Sequence, residues 1–234
     1  MVKMRNVILA AFLFVVSTIA VGCSDDSNPM NTVESKSNVL VAHASPNAPG
    51  VDLLVDGSVA GTNLLFPNNT GYLKVNSGDR NIKVNVTGTT TTVINATVPF
   101  AQDMYYSVFA IDSVSKISPV VVTDNLTAPA SGKSHIRFFH FSPDAPAVDV
   151  AVTGGPVLFS NRTFNKSVTN TEMAFTPVDA GTYNLEVRLA GTTTVVLSLP
   201  GVVLENGKIY TVFAKGFVGG SGTQALSAQI IVNK

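Results

Sequence analysis

Residues 43–52 read HASPNAPGVD, and residues 140–149 repeat the pattern as HFSPDAPAVD, 97 positions later. Each copy lies between two short apolar runs. A repeat of about 100 residues indicates two structural units, because that length suffices for an independent hydrophobic core.

The two halves of the chain also correspond downstream of this block, in the same order. Residues 77–84 match residues 180–187 at an offset of 103, and residues 106–110 match residues 210–214 at an offset of 104. The difference of six residues between the first two offsets predicts one loop insertion in the second copy, within residues 153–170.

Both copies have the pattern of short strands separated by turn residues. Ile82, Val84 and Val86 alternate with polar residues, and Leu185 and Val187 do the same in the second copy. Alternation with a period of two is typical of half-buried strands. The first copy is predicted to contain strands at residues 39–44, 51–55, 71–75, 81–87, 92–98, 105–111 and 119–123.

The turn chemistry also favours a β fold. Asp56-Gly57 and Asn206-Gly207 predict type I′ turns, in which both central residues have positive φ. Tyr106 and Tyr210 follow a turn where a tyrosine corner would lie, although an ordinary core tyrosine is the alternative. Because no segment after the N-terminal region has a helical period, the predicted fold is all-β, with two tandem immunoglobulin-like antiparallel β-sandwich domains.

The composition excludes several classes of protein. The 234 residues include 15 basic and 15 acidic side chains, so there is no basic excess for a nucleic-acid partner. A single cysteine cannot form an intramolecular disulfide or a structural zinc site of several cysteines. Burial and backbone pairing must therefore hold the fold together.

The N-terminal residues form a separate unit. Lys3 and Arg5 precede an apolar run at residues 7–21, which is shorter than the ~20 residues of a spanning helix. Residues 20–23, Ala-Val-Gly-Cys, resemble the lipobox of bacterial lipoproteins. That resemblance implies that residues 1–22 are a signal peptide and that Cys23 carries lipid. An ordinary signal peptide followed by an accidental cysteine is the alternative.

Cleavage before Cys23 would leave 13 basic and 15 acidic residues, without a polybasic patch to hold anionic lipid. Two or three acyl chains would suffice for stable anchoring. Ser24 resembles a sorting signal for the bacterial outer membrane, so we expect the protein on its periplasmic face or at the cell surface. The predicted segments are a signal peptide at 1–22, a flexible tether at 23–37, sandwiches at 38–126 and 135–234, and a linker at 127–134.

The block His-x-Ser-Pro-(Asp/Asn)-Ala-Pro-x-Val-Asp, followed in the first copy by Asp56-Gly57 and Gly71-Tyr72, resembles the bacterial domain of unknown function DUF4397. The resemblance covers residues 38–234 as two copies. It implies secreted or envelope proteins, often lipoproteins, with a β-rich fold, and it implies no established activity.

The repeated block allows a chemical and a structural interpretation. His43 with Asp52, and His140 with Asp149, could be acid-base or metal-binding pairs, because a carboxylate can orient an imidazole. Ser-Pro-Asp-Ala-Pro is also turn material, and a histidine at a strand end can hydrogen-bond the turn backbone. We favour the structural interpretation, with no catalytic residue, no metal site and no cofactor.

The glycine-rich residues 216–222 allow two readings as well. By glycine count they look like a phosphate cradle, but no helix is predicted after them, so a flexible hairpin is expected.

The sequence thus predicts a non-enzymatic, lipid-anchored module that binds an envelope protein or a glycan, or has a structural role. Two alternatives remain open. One is a cell-envelope hydrolase or metal-binding protein that uses the His/Asp pairs. The other is an assembly role, in which an edge strand at residues 225–232 pairs with another chain.

Overall fold

Sixteen strands and little helix make up the computed structural model, which describes residues 34–234. The first eight strands are β1 (Lys36–His43), β2 (Val51–Val55), β3 (Ser58–Leu64), β4 (Asn69–Asn76), β5 (Gly78–Val86), β6 (Thr92–Phe100), β7 (Tyr105–Ile111) and β8 (Ser118–Thr123). The other eight are β9 (Lys133–His140), β10 (Val148–Val152), β11 (Val157–Arg162), β12 (Thr176–Asp179), β13 (Gly181–Leu189), β14 (Val195–Leu204), β15 (Ile209–Lys215) and β16 (Ser227–Val232). A single helical turn, α1 (Asn170–Met173), lies between β11 and β12.

The strands form two β-sandwiches with the same topology. The first contains the sheets β4-β1-β7-β8 and β3-β2-β5-β6, and the second contains β12-β9-β15-β16 and β11-β10-β13-β14. Each sandwich has one parallel pair, β1 with β7 and β9 with β15, and its other pairs are antiparallel. The prediction of two tandem sandwiches is confirmed, and the parallel pair places the first strand in the middle of its sheet.

Each sandwich has its own apolar core. In the first, Ile82 and Val84 of β5 pack with Val39 and Val41 of β1. The alternating residues Lys83 and Asn85 lie on the other, less buried face of the strand. The second core contains Leu185 and Val187 of β13 in the same way. The alternation seen in these strands therefore marks sheets with one buried face.

The tyrosine corner is confirmed in both sandwiches. The hydroxyl of Tyr106 accepts a hydrogen bond from the backbone N–H of Ala101 at 3.0 Å, and the hydroxyl of Tyr210 accepts one from Glu205 N at 3.0 Å. Each tyrosine therefore bonds the chain five residues upstream while its ring lies in the core.

The two sandwiches pack against each other through one sheet from each. We call β4-β1-β7-β8 and β12-β9-β15-β16 the inner sheets. Their contact is an apolar cluster that includes Leu40, Phe109, Phe139, Phe141 and Phe213. The Phe109 ring lies 5.6, 5.0 and 5.9 Å from the centroids of Phe139, Phe141 and Phe213. The inner sheets are thus buried on both faces.

A buried ion pair crosses this contact. Nη2 of Arg137, on β9, donates to Oδ1 of Asp124, just after β8, at 2.5 Å, and both side chains are fully buried. Ser107 and Tyr72 donate to the other carboxylate oxygen at 2.7 and 2.6 Å. Nε of Arg137 donates to the hydroxyl of Thr211 at 2.9 Å. Both charges are therefore satisfied on each side of the interface.

The network has related parts in the two sandwiches. In the second sandwich, Thr211 donates to Oδ1 of Asn233 at 2.6 Å, and in the first, Ser107 donates to Asp124 in the same way. The two acceptors are at equivalent positions, since Asn233 follows β16 and Asp124 follows β8. Nδ2 of Asn233 then donates to the Tyr72 hydroxyl of the first sandwich at 3.0 Å. A hydrogen bond thus connects the two sandwiches here in addition to the ion pair.

The second sandwich contains the predicted insertion, at residues 163–175. The corresponding connection of the first sandwich, between β3 and β4, has only four residues. Phe164, Val168 and Met173 pack against the cluster between the inner sheets. The Phe175 ring centroid lies 4.3 Å from the guanidinium carbon of Arg137. The insertion therefore covers one side of the contact between the sandwiches.

Four details differ from the sequence predictions. β3 was missed, because its residues are mostly exposed and do not alternate. Asn206-Gly207 is not a type I′ turn, since only Gly207 has positive φ; it carries the chain from one sheet to the other, where hairpin twist is not required. β1 begins at Lys36, inside the predicted tether, and β9 begins at Lys133, inside the predicted linker. Asp56-Gly57 has the predicted positive φ at both positions.

We predict that Asp124→Ala lowers the free energy of unfolding by about 3–5 kcal/mol, because it leaves the buried Arg137 charge without its partner. Urea unfolding followed by circular dichroism measures this change.

The matched control is Asp179→Ala, which removes the exposed ion pair of Lys133 and Asp179 and should cost about 0–1 kcal/mol. Equal losses from the two variants would contradict the assignment of the buried pair as a main stabilising contact.

Candidate functional site

The first repeated block is a turn closed by its own histidine. His43 is buried at the end of β1, and its Nε2 is 3.0 Å from the carbonyl oxygen of Pro49, at the far end of the turn. The backbone N–H of Ser45 donates to Nδ1 at 3.4 Å. This pattern assigns the neutral tautomer that carries its proton on Nε2. Burial lowers the pKa of His43, which also favours the neutral imidazole.

Asp52 points to a different part of the sandwich. One of its carboxylate oxygens accepts hydrogen bonds from Asn63 N at 2.8 Å and from the Thr87 hydroxyl at 3.1 Å, and the other accepts one from Gly88 N at 3.2 Å. The bond from Asn63 is the main cause that lowers the pKa of Asp52. Asn63 has a φ of 49°, within an irregular part of the β2–β3 pairing. The carboxylate thus joins β3 to the β5–β6 turn.

The second block repeats both contacts. Nε2 of His140 is 3.1 Å from the carbonyl oxygen of Pro146. Asp149 accepts hydrogen bonds from Asn161 N at 2.7 Å and from Gly191 N at 2.8 Å. Burial lowers the pKa of His140, as it does for His43. Neither histidine is thus hydrogen-bonded to its aspartate. Each of the four side chains forms hydrogen bonds with backbone groups instead.

Residues of the insertion support the second block. Asn165, 2% exposed, accepts a hydrogen bond from His140 N at 2.7 Å and donates to Glu172 at 2.7 Å. Glu172 also closes a capping box with Thr169 at the start of α1. The sequence predictions did not include Asn165. The sequence signal for this ordered turn, which they did not use, is the spacing of Thr169 and Glu172, typical of a capping box.

No cluster of three or more His, Cys, Asp or Glu side chains suited to a metal ion occurs within residues 34–234. Cys23, the predicted lipid attachment residue, lies outside the described residues, as do residues 1–22. No helix of the described part is long and apolar enough to cross a membrane.

A pocket of about 540 Å³ lies at one end of the second sandwich. Apolar side chains and glycines line it, together with His140. The walls come from β13, β14 and the repeated block, and the loop that joins β15 to β16 closes one side. A somewhat larger concavity of about 620 Å³ in residues 34–234 has charged side chains in its wall, Asp124 and Lys234 among them.

The loop at residues 216–226 is held in place by backbone and side-chain bonds. Ser142 Oγ donates to Gly216 O at 2.7 Å, and Val218 N donates to Asp144 Oδ1 at 3.0 Å. A Cβ atom on Gly216 would lie 2.2 Å from Ala225 O, and one on Gly220 would lie 2.3 Å from Gln224 O. The expected hairpin is present, since this loop joins the antiparallel neighbours β15 and β16, and its glycines allow close backbone packing.

A family model described as Domain of unknown function (DUF4397) matches residues 37–151. The match covers the first sandwich and ends within β10, so it includes both repeated blocks. No curated protein matches the chain.

We predict that unfolding depends on pH through the two buried histidines. Their folded pKa values lie below the ordinary 6.5, so the unfolded chain takes up protons first. The stability from the neutral imidazoles is complete above about pH 6.5 and falls as the pH drops below that value. Urea unfolding at about pH 7.5 and about pH 5.5 should show this decrease, and His43→Gln with His140→Gln should remove most of it.

His135→Gln is the control, since His135 is half-buried and lies outside both blocks. A decrease that persists unchanged in the double variant would show that other groups cause it.

Proposed function

We propose that the protein is an envelope-anchored lipoprotein, and that its two sandwiches act as a non-enzymatic binding or structural module. The observation that carries this proposal is the use of the block side chains. His43, Asp52, His140 and Asp149 all hydrogen-bond to backbone groups of their own sandwich. A general base must reach the proton that it removes, and these groups are occupied by structural contacts.

The anchoring part of the proposal rests on sequence. Small residues precede Cys23, and the apolar run before them is too short to span a bilayer. The proposed location is the outer membrane, at its periplasmic face or at the cell surface, with a protein or glycan of the envelope as partner.

We also propose that residues 135–234 are a second copy of the family domain. The support is the identical strand order of the two sandwiches and the repeated contacts of the His-x-Ser-Pro blocks.

Lipidation is tested by growing expressing cells with an alkyne fatty acid and detecting label on the full chain. Wild type should carry label and sediment with membranes, whereas Cys23→Ser should lose the label, because the thiol is the attachment point.

Ser24→Ala retains Cys23 and should still be labelled, so it controls for changes near the cleavage site. Label that persists on Cys23→Ser would overturn the assignment of Cys23.

The metal-binding alternative predicts a different outcome. Zinc that binds the folded state should raise the melting temperature by mass action. We expect no rise of the melting temperature over about a hundredfold range of Zn²⁺ concentration. The reason is that Nε2 of each histidine is already hydrogen-bonded to a backbone carbonyl of its own turn. A rise that His43→Gln and His140→Gln abolish would support the alternative.

A further inference from the structure

The pocket of the second sandwich has no charged group in its wall. Among the side chains that line it, only the imidazole of His140 is polar. Nε2 of that ring bonds Pro146 O at 3.1 Å, and Nδ1 is buried without a partner among the described residues. Neither nitrogen is therefore offered to a ligand, and most of the wall is apolar.

The space is bounded by ordered parts of the sandwich. Val148 and Val187 are buried core residues of β10 and β13, and they form the base. The glycine-rich loop is fixed by Asp144, through Val218 N, and by Ser142, through Gly216 O. A concavity with such walls keeps its shape without a ligand, so binding costs little ordering of the protein.

The corresponding end of the first sandwich is filled differently. There the loop between β7 and β8 spans residues 112–117, and Ile117 packs against the apolar core. In the second sandwich the loop spans residues 216–226, and Leu226, placed before β16 as Ile117 is before β8, lines the pocket. The loop of the second sandwich is thus five residues longer, and part of it lines the pocket.

The rim of the pocket is apolar and reaches solvent. Val196 on β14 is 38% exposed and Val218 on the loop is 53% exposed. A volume of about 540 Å³ lies within the usual range of small-molecule sites, about 300–1,000 Å³. A charged group placed among these walls would lose its hydration without gaining a partner.

We propose that this pocket binds an uncharged, mainly hydrocarbon small molecule. The inference deepens the proposed binding role and rests on it: the ligand enters past Val196 and Val218 and packs on Val148 and Val187. The driving force is removal of apolar surface from water on both partners.

The test uses two fluorescent probes of one shape. N-phenyl-1-naphthylamine is uncharged, and 1-anilinonaphthalene-8-sulfonate carries an added sulfonate. The three apolar clusters lie within residues 34–234, which form one compact unit, so the chain from residue 23 with Cys23→Ser is used without detergent. We expect saturation at one uncharged probe per chain and at least about tenfold weaker binding of the sulfonate.

Two variants should block the site. Ala145→Phe fills it from the repeated block, and Val196→Glu places a carboxylate at its rim; each should weaken binding of the uncharged probe about tenfold or more. The matched controls are Ala48→Phe, at the equivalent position of the first block, and Val195→Glu, exposed on the same strand but outside the pocket wall. Both controls should bind as the parent chain does.

Two results would overturn the proposal: no saturable binding of the uncharged probe, or equal effects of the pocket variants and their controls. Either result would leave the lipid labelling of Cys23 unchanged, so failure of the pocket is distinguishable from failure of the proposed anchored module.

Discussion

Contact between the two inner sheets is the constraint from which the other features of the fold follow. A sheet covered on both faces cannot alternate between buried and exposed residues, so nearly every side chain of its central strands is buried, and the polar ones need hydrogen-bond partners. β1, β7, β9 and β15 show this, since nearly every residue in them is buried, including Arg137 with its ion partner. The outer strands β5 and β13 keep one face in solvent and retain alternation. Residues 34–234 thus form a stack of four sheets with three apolar layers.

The two copies differ most where they meet. Positions that hold Ala42 and Leu40 in the first copy hold Phe139 and Arg137 in the second, and all four are buried. Phe139 and Phe141 of the second sandwich pack against Phe109 of the first, with ring centroids 5.6 and 5.0 Å away. Asp124 supplies the only charge that faces Arg137 in the described structure. A second copy of the first sandwich could not replace the second one, because Leu40 would then face Asp124 and leave its carboxylate unpaired.

This arrangement explains why the repeated blocks are poor candidates for chemistry. His43 and His140 end the central strands β1 and β9 and close the turns that carry the chain to the outer sheets. Their hydrogen bonds close the turns in which the chain crosses between the sheets. The pocket lies elsewhere, beside the loop at residues 216–226, in which glycines allow close backbone packing.

The sequence by itself determined the all-β class, the duplication and most strands, because period-two patterns and turn residues act locally. For Tyr106 and Tyr210 it left open a tyrosine corner or an ordinary core tyrosine, and the structure decided for the corner. Sequence reasoning missed β3, an exposed strand without alternation. It predicted the hairpin at the glycine loop but not the contacts of that loop with Asp144 and Ala225. The pocket and the face-to-face packing of the sandwiches were decided only by the tertiary structure. Asp124 and Arg137 lie close in sequence, yet their ion pair forms only when the two inner sheets stack. Burial of a strand by a distant part of the chain leaves no periodic pattern in the sequence of that strand, so the sequence alone does not show it.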